Sequence, residues 1–400
     1  MCSPLLSSPP QISCGATKLA DTLRLISGNR AKAGSTCWQA WWNPLVDDQP
    51  PAVNPTEVAT LVDAVLIRFL DDKDHLSPAF ELTYFSDQLR SLLAAGGKRF
   101  RPLMCVTGWT AVEGAAPSDI VYRVAASLEL FHCFALIHDD VMDHSDTRRG
   151  RPTAHHALAA RHRDHANPAE LGVNAAILLG DLALGWSYDL LVGPPSPTVE
   201  QLARMQPTWD ALRTETLIGQ YLDLAASGRR TPDLDTAWRI IRYKTAKYTI
   251  ERPLHLGANL AGGTTQQLRA LSDYAVPLGE AFQLRDDLLG VFGNPHDTGK
   301  SVEDDLRSAK HTVLIATALQ RATPTQRRVL DELLGKPDLT EDQYDQIRAV
   351  LTATGAVATV EQLIATRCES AAQALHTDHL HPAAVAILHQ FAAAATSRAG

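Results

Sequence analysis

Two short runs of aspartate stand on otherwise apolar helical segments, and they restrict what this 400-residue chain can fold into. HDDVMD places Asp139, Asp140 and Asp143 at the end of VYRVAASLELFHCFALIHDD (121–140). QLRDDLLG places Asp286 and Asp287 within LGEAFQLRDDLLGVFG (278–293). Asp139 and Asp143 are spaced i, i+4, so they share a helix face and repel each other. They also sit at a helix C-terminal end, where the macrodipole disfavours anions. Divalent cations bound there would remove both costs. Hard carboxylate oxygens on a rigid scaffold suit Mg²⁺, with substrate phosphates completing its octahedron. One acidic pair on a helix is usually a solvated face. Two clusters embedded in apolar helices predict a metal site.

The rest of the chain supplies the scaffold. LVDAVLIRFL (61–70), NAAILLGDLALGWSYDLL (174–191) and the two segments above are rich in Ala and Leu and free of internal proline. Several are apolar around much of the circumference, which places them in the middle of a bundle. GGK (96–98), GPPSP (193–197) and GNPHDTG (293–299) punctuate them as turns. Strand-like alternation is scarce, so the fold class is all-α. Residues 1–54 carry clustered Ser, Pro and Gly with Trp38, Trp41 and Trp42, and read as a mostly disordered leader. Residues 55–400 read as the helical catalytic domain. The polar stretch 160–170 and the nearby His155, His156, His162 and His165 read as a solvated surface rather than a metal site.

Composition excludes several classes. Hydrophobic residues are 45% and charged residues 20%, which are globular values. The net charge of −8 gives no general pull toward nucleic acid or anionic lipid. No apolar run is expected to approach the ~20 residues of a transmembrane helix. The six cysteines show no CxxC spacing and form no zinc or disulfide framework, so a reducing cytoplasm is the expected location. No Walker A loop or dinucleotide-binding glycine fingerprint is present.

Cations cluster near the acids. GGKRFRP (96–102) offers Lys98, Arg99 and Arg101. DHSDTRRGRP (143–152) adds Arg148 and Arg149. RYKTAKY (242–248) adds Lys244 beside Thr245, and DTGK adds Lys300. Arg forks bind phosphate oxygens bidentately and Lys supplies point charges. With two acidic clusters, these describe a site for more than one phosphorylated ligand.

The order of these motifs resembles the trans-isoprenyl diphosphate synthases, the polyprenyl synthetase family. GGKRFRP, HDDVMDHSDTRRGRPTAH, LLGD (178–181), GQYLDL (219–224), the Lys244–Thr245 pair and FQLRDDLLGVFGNPHDTGK (282–300) follow one another as they do in that family. The resemblance implies a bundle of long antiparallel helices around a deep cavity, with the acidic motifs facing each other at its mouth. It implies that Asp139, Asp143 and Asp286 hold Mg²⁺ on an allylic diphosphate, supported by Asp140 and Asp287. Arg148, Lys244 and Lys300 would neutralise that diphosphate. Lys98, Arg101, His132 and Arg149 would bind isopentenyl diphosphate. Gln283 would support the metal site and Thr245 would lie beside the reacting groups. A homodimer is the usual assembly.

Two departures stand out. Gly290 replaces the third Asp common in the second acidic motif, leaving one acid fewer, and Glu303 stands where a Gly often precedes the Asp pair. In the family, side chains four and five positions before the first Asp set product length. Here they are Ala135 and Phe134, with Phe131 as a further contributor. That pairing resembles members forming the twenty-carbon geranylgeranyl diphosphate. Farnesyl and farnesylgeranyl diphosphate are the alternatives. Helix geometry puts Ala135 near the face of Asp139 and turns Phe134 away from it. Two rival functions are a class I terpene cyclase and a non-catalytic subunit of a heteromeric synthase. The first would not need a second cationic pocket, and the second typically loses acids from the first motif.

Overall fold

Apolar periodicity becomes helix almost throughout. The computed structural model describes residues 53–76, 80–97, 99–293 and 304–396. The leader lies outside these apart from Val53 and Asn54, and Lys98, Lys300 and Glu303 lie outside them too. Helix α1 (Pro55–Leu76) starts where the Asn54 side chain accepts the N–H of Thr56 at 2.9 Å. There follow α2 (Phe80–Ala94), α3 (Phe100–Glu113) and α4 (Asp119–Met142). A two-residue hairpin joins β1 (Thr147–Arg148) to β2 (Arg151–Pro152), and then come α5 (Ala154–Arg161), α6 (Pro168–Val192) and α7 (Val199–Ala226). Helix α8 (Leu234–Ile240) runs into a π-helical segment (Ile241–Glu251) and on into α9 (Arg252–Leu260). The long α10 (Thr265–Phe292) is followed by α11 (Val313–Arg321), α12 (Pro324–Leu333), α13 (Glu341–Ala353), α14 (Ala356–Ala374) and α15 (Pro382–Thr396). The hairpin is the only sheet among the described residues.

Helix α4 packs on α6, α3 and α1, while α10 packs on the π segment and α14. The two acid-bearing helices are thus held from several sides. The expectation about apolar length does not hold for two helices. By length and composition, α4 and α6 could each cross a bilayer, and the bent pair α13–α14 passes the same test jointly. The most apolar stretch of α4 is 67% buried within the protein, as a helix enclosed by neighbours must be apolar all round. That of α6 is only 44% buried. The solvated reading also fails for His155, which is buried with Leu158 on the inward side of α5, whereas His162 and His165 are exposed.

Glycines set the closest approaches. A Cβ on Gly257 would lie 1.8 Å from the Cys105 carbonyl oxygen, and one on Gly108 would lie 2.0 Å from that of Leu254. Helices α3 and α9 therefore meet backbone to backbone. Further along, Glu280 of α10 is 2% exposed, accepts a hydrogen bond from Arg242 (2.6 Å) and forms an ion pair with Arg367 (2.7 Å). One buried carboxylate thereby ties the π segment and α14 to the second acidic helix. Such a pair stays favourable only while its charges and hydrogen bonds are matched.

Candidate active site

One stripe of α4 stays partly accessible although the helix is central: His132, Ala135, Leu136, Asp139 and Asp143. Their spacing follows the helical repeat, so they line one side. Asp139 is at the crossing point of three elements. Its Oδ1 accepts from Gln220 Nε2 of α7 at 3.1 Å and from Lys244 Nζ of the π segment at 3.2 Å, and its Oδ2 accepts from Arg148 of β1 at 3.2 Å. Burial works against its charge, yet Lys244 and Arg148 outweigh this and bring its pKa down to about 2. Asp143 caps the helix with fewer partners, and burial together with Asp139 pushes its pKa up. Asp140 is buried, facing Arg148 at 2.6 Å, and so orients that guanidinium.

The hairpin explains why Arg148 and Arg149 diverge. Both turn residues are left-handed, Arg149 at φ 54° and Gly150 at φ 72°, the geometry of a tight two-residue turn. Arg148 pairs with Arg151 across the strands and turns onto the acids. Arg149 goes toward Gly97: a Cβ there would meet its Nη1 at 3.3 Å. That side also holds Arg101, whose guanidinium lies 4.1 Å from the centre of the Tyr248 ring and donates to Thr249 at 2.9 Å. Tyr248 Oη is 2.8 Å from Nδ1 of His132. Burial, then the charges of Arg101 and Arg149, keep His132 well below the usual imidazole pKa, so it is neutral at pH 7. Among the described residues, no ion pair engages Arg101 or Arg149, and Arg101 Nε is buried without a partner. Their charges are available to an anion.

The cations of GGKRFRP divide. Arg99 is not one of the phosphate groups: it is buried, with Nε donating to Asp63 at 2.6 Å and Nη1 to Glu129 at 3.1 Å. It lies at φ 52° just before α3, which turns its side chain inward. Glu129 was the available clue, an acid inside an apolar helix that requires a partner.

The second acidic cluster also divides. Asp286 is partly accessible while Asp287 is buried. Thr245 Oγ1 donates to Gln283 Oε1 at 2.6 Å, and Gln283 Nε2 donates to Asp287 Oδ1 at 2.8 Å. This relay joins the π segment to α10. Burial above all, then Asp305 and Asp286, raise the Asp287 pKa well above the carboxylate range. Three groups that motif reading did not assign also belong here. Gln220 holds Asp139, Asp223 accepts from Lys244 at 2.6 Å, and Lys310 pairs with Asp305 at 2.9 Å. The first two lie in GQYLDL and share a helix face, but only the packing of α7 shows what they touch.

Among the described residues, no three metal-type side chains converge closely enough to hold an ion unaided. The accessible carboxylates of Asp139 and Asp143 on α4 and of Asp286 on α10 are hard oxygen donors, which suits Mg²⁺ completed by ligand oxygens.

A match to the polyprenyl synthetase family spans residues 83–352, more than half of the chain. The chain belongs to the polyprenyl synthetase family. The match covers both acidic motifs and stops before α14, although Glu280 and Arg285 bind that helix through Arg367 and Glu361. A geranylfarnesyl diphosphate synthase of Aeropyrum pernix is 31% identical over 66% of this chain and 79% of its own length. A (2E,6E)-farnesyl diphosphate synthase of Mycobacterium tuberculosis is 32% identical over 72% of this chain and 76% of its own. The crystal structure of a geranylgeranyl pyrophosphate synthase from Corynebacterium glutamicum, complexed with isoprenyl diphosphate and magnesium, is 40% identical. It superposes with a TM-score of 0.81, covering 86% of this chain and all of that one. The all-α isoprenoid synthase fold and prenyltransferase activity expected from the motifs agree with these likenesses.

Proposed function

We propose that this polyprenyl synthetase condenses isopentenyl diphosphate with an allylic diphosphate and forms chiefly the twenty-carbon geranylgeranyl diphosphate. The observation that carries this is the division of cations into two kinds. Arg148 and Lys244 are interleaved with carboxylates, whereas among the described residues no ion pair engages Arg101 or Arg149. The first set suits a diphosphate that arrives with divalent cations, and the second suits a diphosphate bound by the protein alone. Two diphosphates and one ionisation site describe a condensation rather than a cyclisation.

Asp139, Asp143 and Asp286 would hold Mg²⁺, whose charge, when bound, stabilises the departing diphosphate. Arg148 and Lys244 stand where that leaving group gathers negative charge, already oriented by Asp140 and Asp223. Neutral His132, fixed by Tyr248, gives one hydrogen bond to the isopentenyl diphosphate without adding charge. Phe134 and Trp209 pack edge to face on the Phe131 ring at 5.3 and 5.7 Å, Tyr248 lies tilted against it at 5.8 Å, and this wall keeps water from the cationic carbon. Chromatography of products from isopentenyl diphosphate with each allylic starter and Mg²⁺ tests the reading. A cyclic hydrocarbon without elongation would overturn it.

Product length rests on the same rings. Phe134 is buried between Phe131 (5.3 Å) and His138 (4.9 Å), about one and a half turns below Asp139, while Ala135 on the accessible stripe leaves room. Phe134→Ala should shift the main product beyond twenty carbons, read by chain-length chromatography after dephosphorylation. An unchanged product would remove Phe134 from the floor.

We infer a homodimer, a reading supported by the apolar faces of α6 and α7. Leu178 is 60% and Tyr221 65% exposed, with Ile177, Tyr188, Leu217, Ile218 and Leu224 also exposed on these two helices. That much exposed apolar surface favours coverage by a second copy. Leu178→Asp with Tyr221→Asp should halve the mass seen by sedimentation; a wild-type monomer would refute the assembly.

A further inference from the structure

The guanidinium of Arg99 joins three helices beside the pocket of Arg101 and Arg149. Its Nε donates to Asp63 of α1 at 2.6 Å, its Nη1 to Glu129 of α4 at 3.1 Å and its Nη2 to the Leu93 carbonyl of α2 at 3.0 Å. A guanidinium fork presents donors in enough directions for all three, which an ammonium on its stem does not. Arg99 is 6% and Glu129 5% exposed, so neither meets a ligand directly.

The backbone at this point is imposed rather than preferred. Arg99 holds a left-handed φ of 52°, a conformation that a non-glycine residue keeps only where surrounding contacts over-determine it. Asp63, Glu129 and the Leu93 carbonyl supply those contacts, and α3 begins at the next residue. Phe100 sets its ring edge to face on that of Phe391 in α15 at 5.4 Å, and Arg101 follows one position on. The same guanidinium also meets Arg149. A Cβ on Gly97 would lie 3.2 Å from Arg99 Nη1 and 3.3 Å from Arg149 Nη1, so both groups press on one point of the chain. Like charges that close repel. Two carboxylates screen Arg99, and this lets Arg149 stand against it. Glu129 is also three residues before His132, on the same side of α4.

We propose that Arg99 and Glu129 are positioning residues for the second diphosphate. The pair imposes the turn before α3 and screens one guanidinium from the next, so that Arg101 and Arg149 converge before the ligand arrives. This rests on the condensation reading above, in which that ligand is isopentenyl diphosphate.

Calorimetric titration of the full-length protein with inorganic pyrophosphate in EDTA isolates this pocket, because without divalent cations Arg148 and Lys244 stay occupied by carboxylates. Glu129→Gln keeps the shape and removes the charge. It should weaken pyrophosphate binding about tenfold, raise KM for isopentenyl diphosphate to match and leave KM for the allylic substrate unchanged. Arg99→Gln combined with Glu129→Gln removes both buried charges, so melting should return close to wild type while binding stays weak. That dissociation separates positioning from structural support, for which binding would recover with melting. Asp63→Asn acts at the edge of the group, where the side chain is 21% exposed, so it folds whatever the fate of the others. It should weaken binding about threefold. Pyrophosphate bound as tightly by either single variant as by wild type would overturn the proposal. So would a wild type that does not bind it, or a double variant that recovers binding together with melting. Absence of any elongated product from wild type would instead refute the condensation reading, and the titrations would still decide the role of Arg99 and Glu129.

Discussion

Asp139→Ala should lower turnover by about a thousandfold and leave the helical fold intact. The size follows from how much converges on this carboxylate. Gln220, Lys244 and Arg148 reach it from three elements, so its loss removes a proposed metal ligand and the point where these groups converge. The fold survives because each cation keeps another anchor, Lys244 at Asp223 and Arg148 at Asp140. Asp139 itself is only partly buried, so no charge is stranded. Product formation under saturating substrate, with circular dichroism as the fold control, measures both parts. Turnover within tenfold of wild type would mean that ionisation is supported elsewhere. Activity of the wild-type chain assayed alone separates the enzyme from the non-catalytic subunit it could otherwise resemble.

How this site reads from sequence depends on what each residue contacts. Asp139, Asp143 and Asp286 are legible because charge on an apolar helix has to be compensated, and each stands at a helix position its neighbours define. Arg148 and Arg149 are legible as a pair, yet their opposite directions come from two left-handed turn residues, one of which is not glycine. Arg99 and Arg101 are two residues apart in one motif and serve different ends. Their separation depends on where α3 begins and on Asp63 and Glu129, which lie far away in sequence. Lys310 and Asp305 follow the motifs without any periodic signal, and a turn closed by contacts to residues 228 and 335 sets their place. The long apolar helices carry strong local patterns, so the all-α class is evident from them. Which faces are enclosed is a tertiary matter, and α6 shows this: its pattern is that of a core helix, but much of it is exposed.

Gly279→Ala should cost about 1–3 kcal/mol of stability and about a hundredfold in turnover, although glycine-to-alanine in a helix is ordinarily favourable. The reason is the π segment. π-helical geometry is rare and concentrates at functional sites, and here it carries Lys244, Thr245 and Tyr248. Two helices press on it through glycines. A Cβ on Gly279 would lie 2.4 Å from Ala246 Cα, and one on Gly219 would lie 2.5 Å from the Lys244 nitrogen. Both contacts are with backbone, which cannot rotate aside as a side chain can. Displacing the segment by a methyl group from the α10 side moves Thr245 off Gln283 and Lys244 off Asp139 and Asp223, groups now held at 2.6–3.2 Å. Gly219→Ala pushes from the α7 side and should produce the same loss. Thermal melting gives the stability term and steady-state kinetics the catalytic one. The kinetic signature should be a fall in kcat together with a rise in KM for isopentenyl diphosphate, because the segment also carries Tyr248 and Thr249, which hold His132 and Arg101. A variant that melts earlier but turns over normally would show that the segment relaxes without moving Lys244, and that the two glycines serve packing alone.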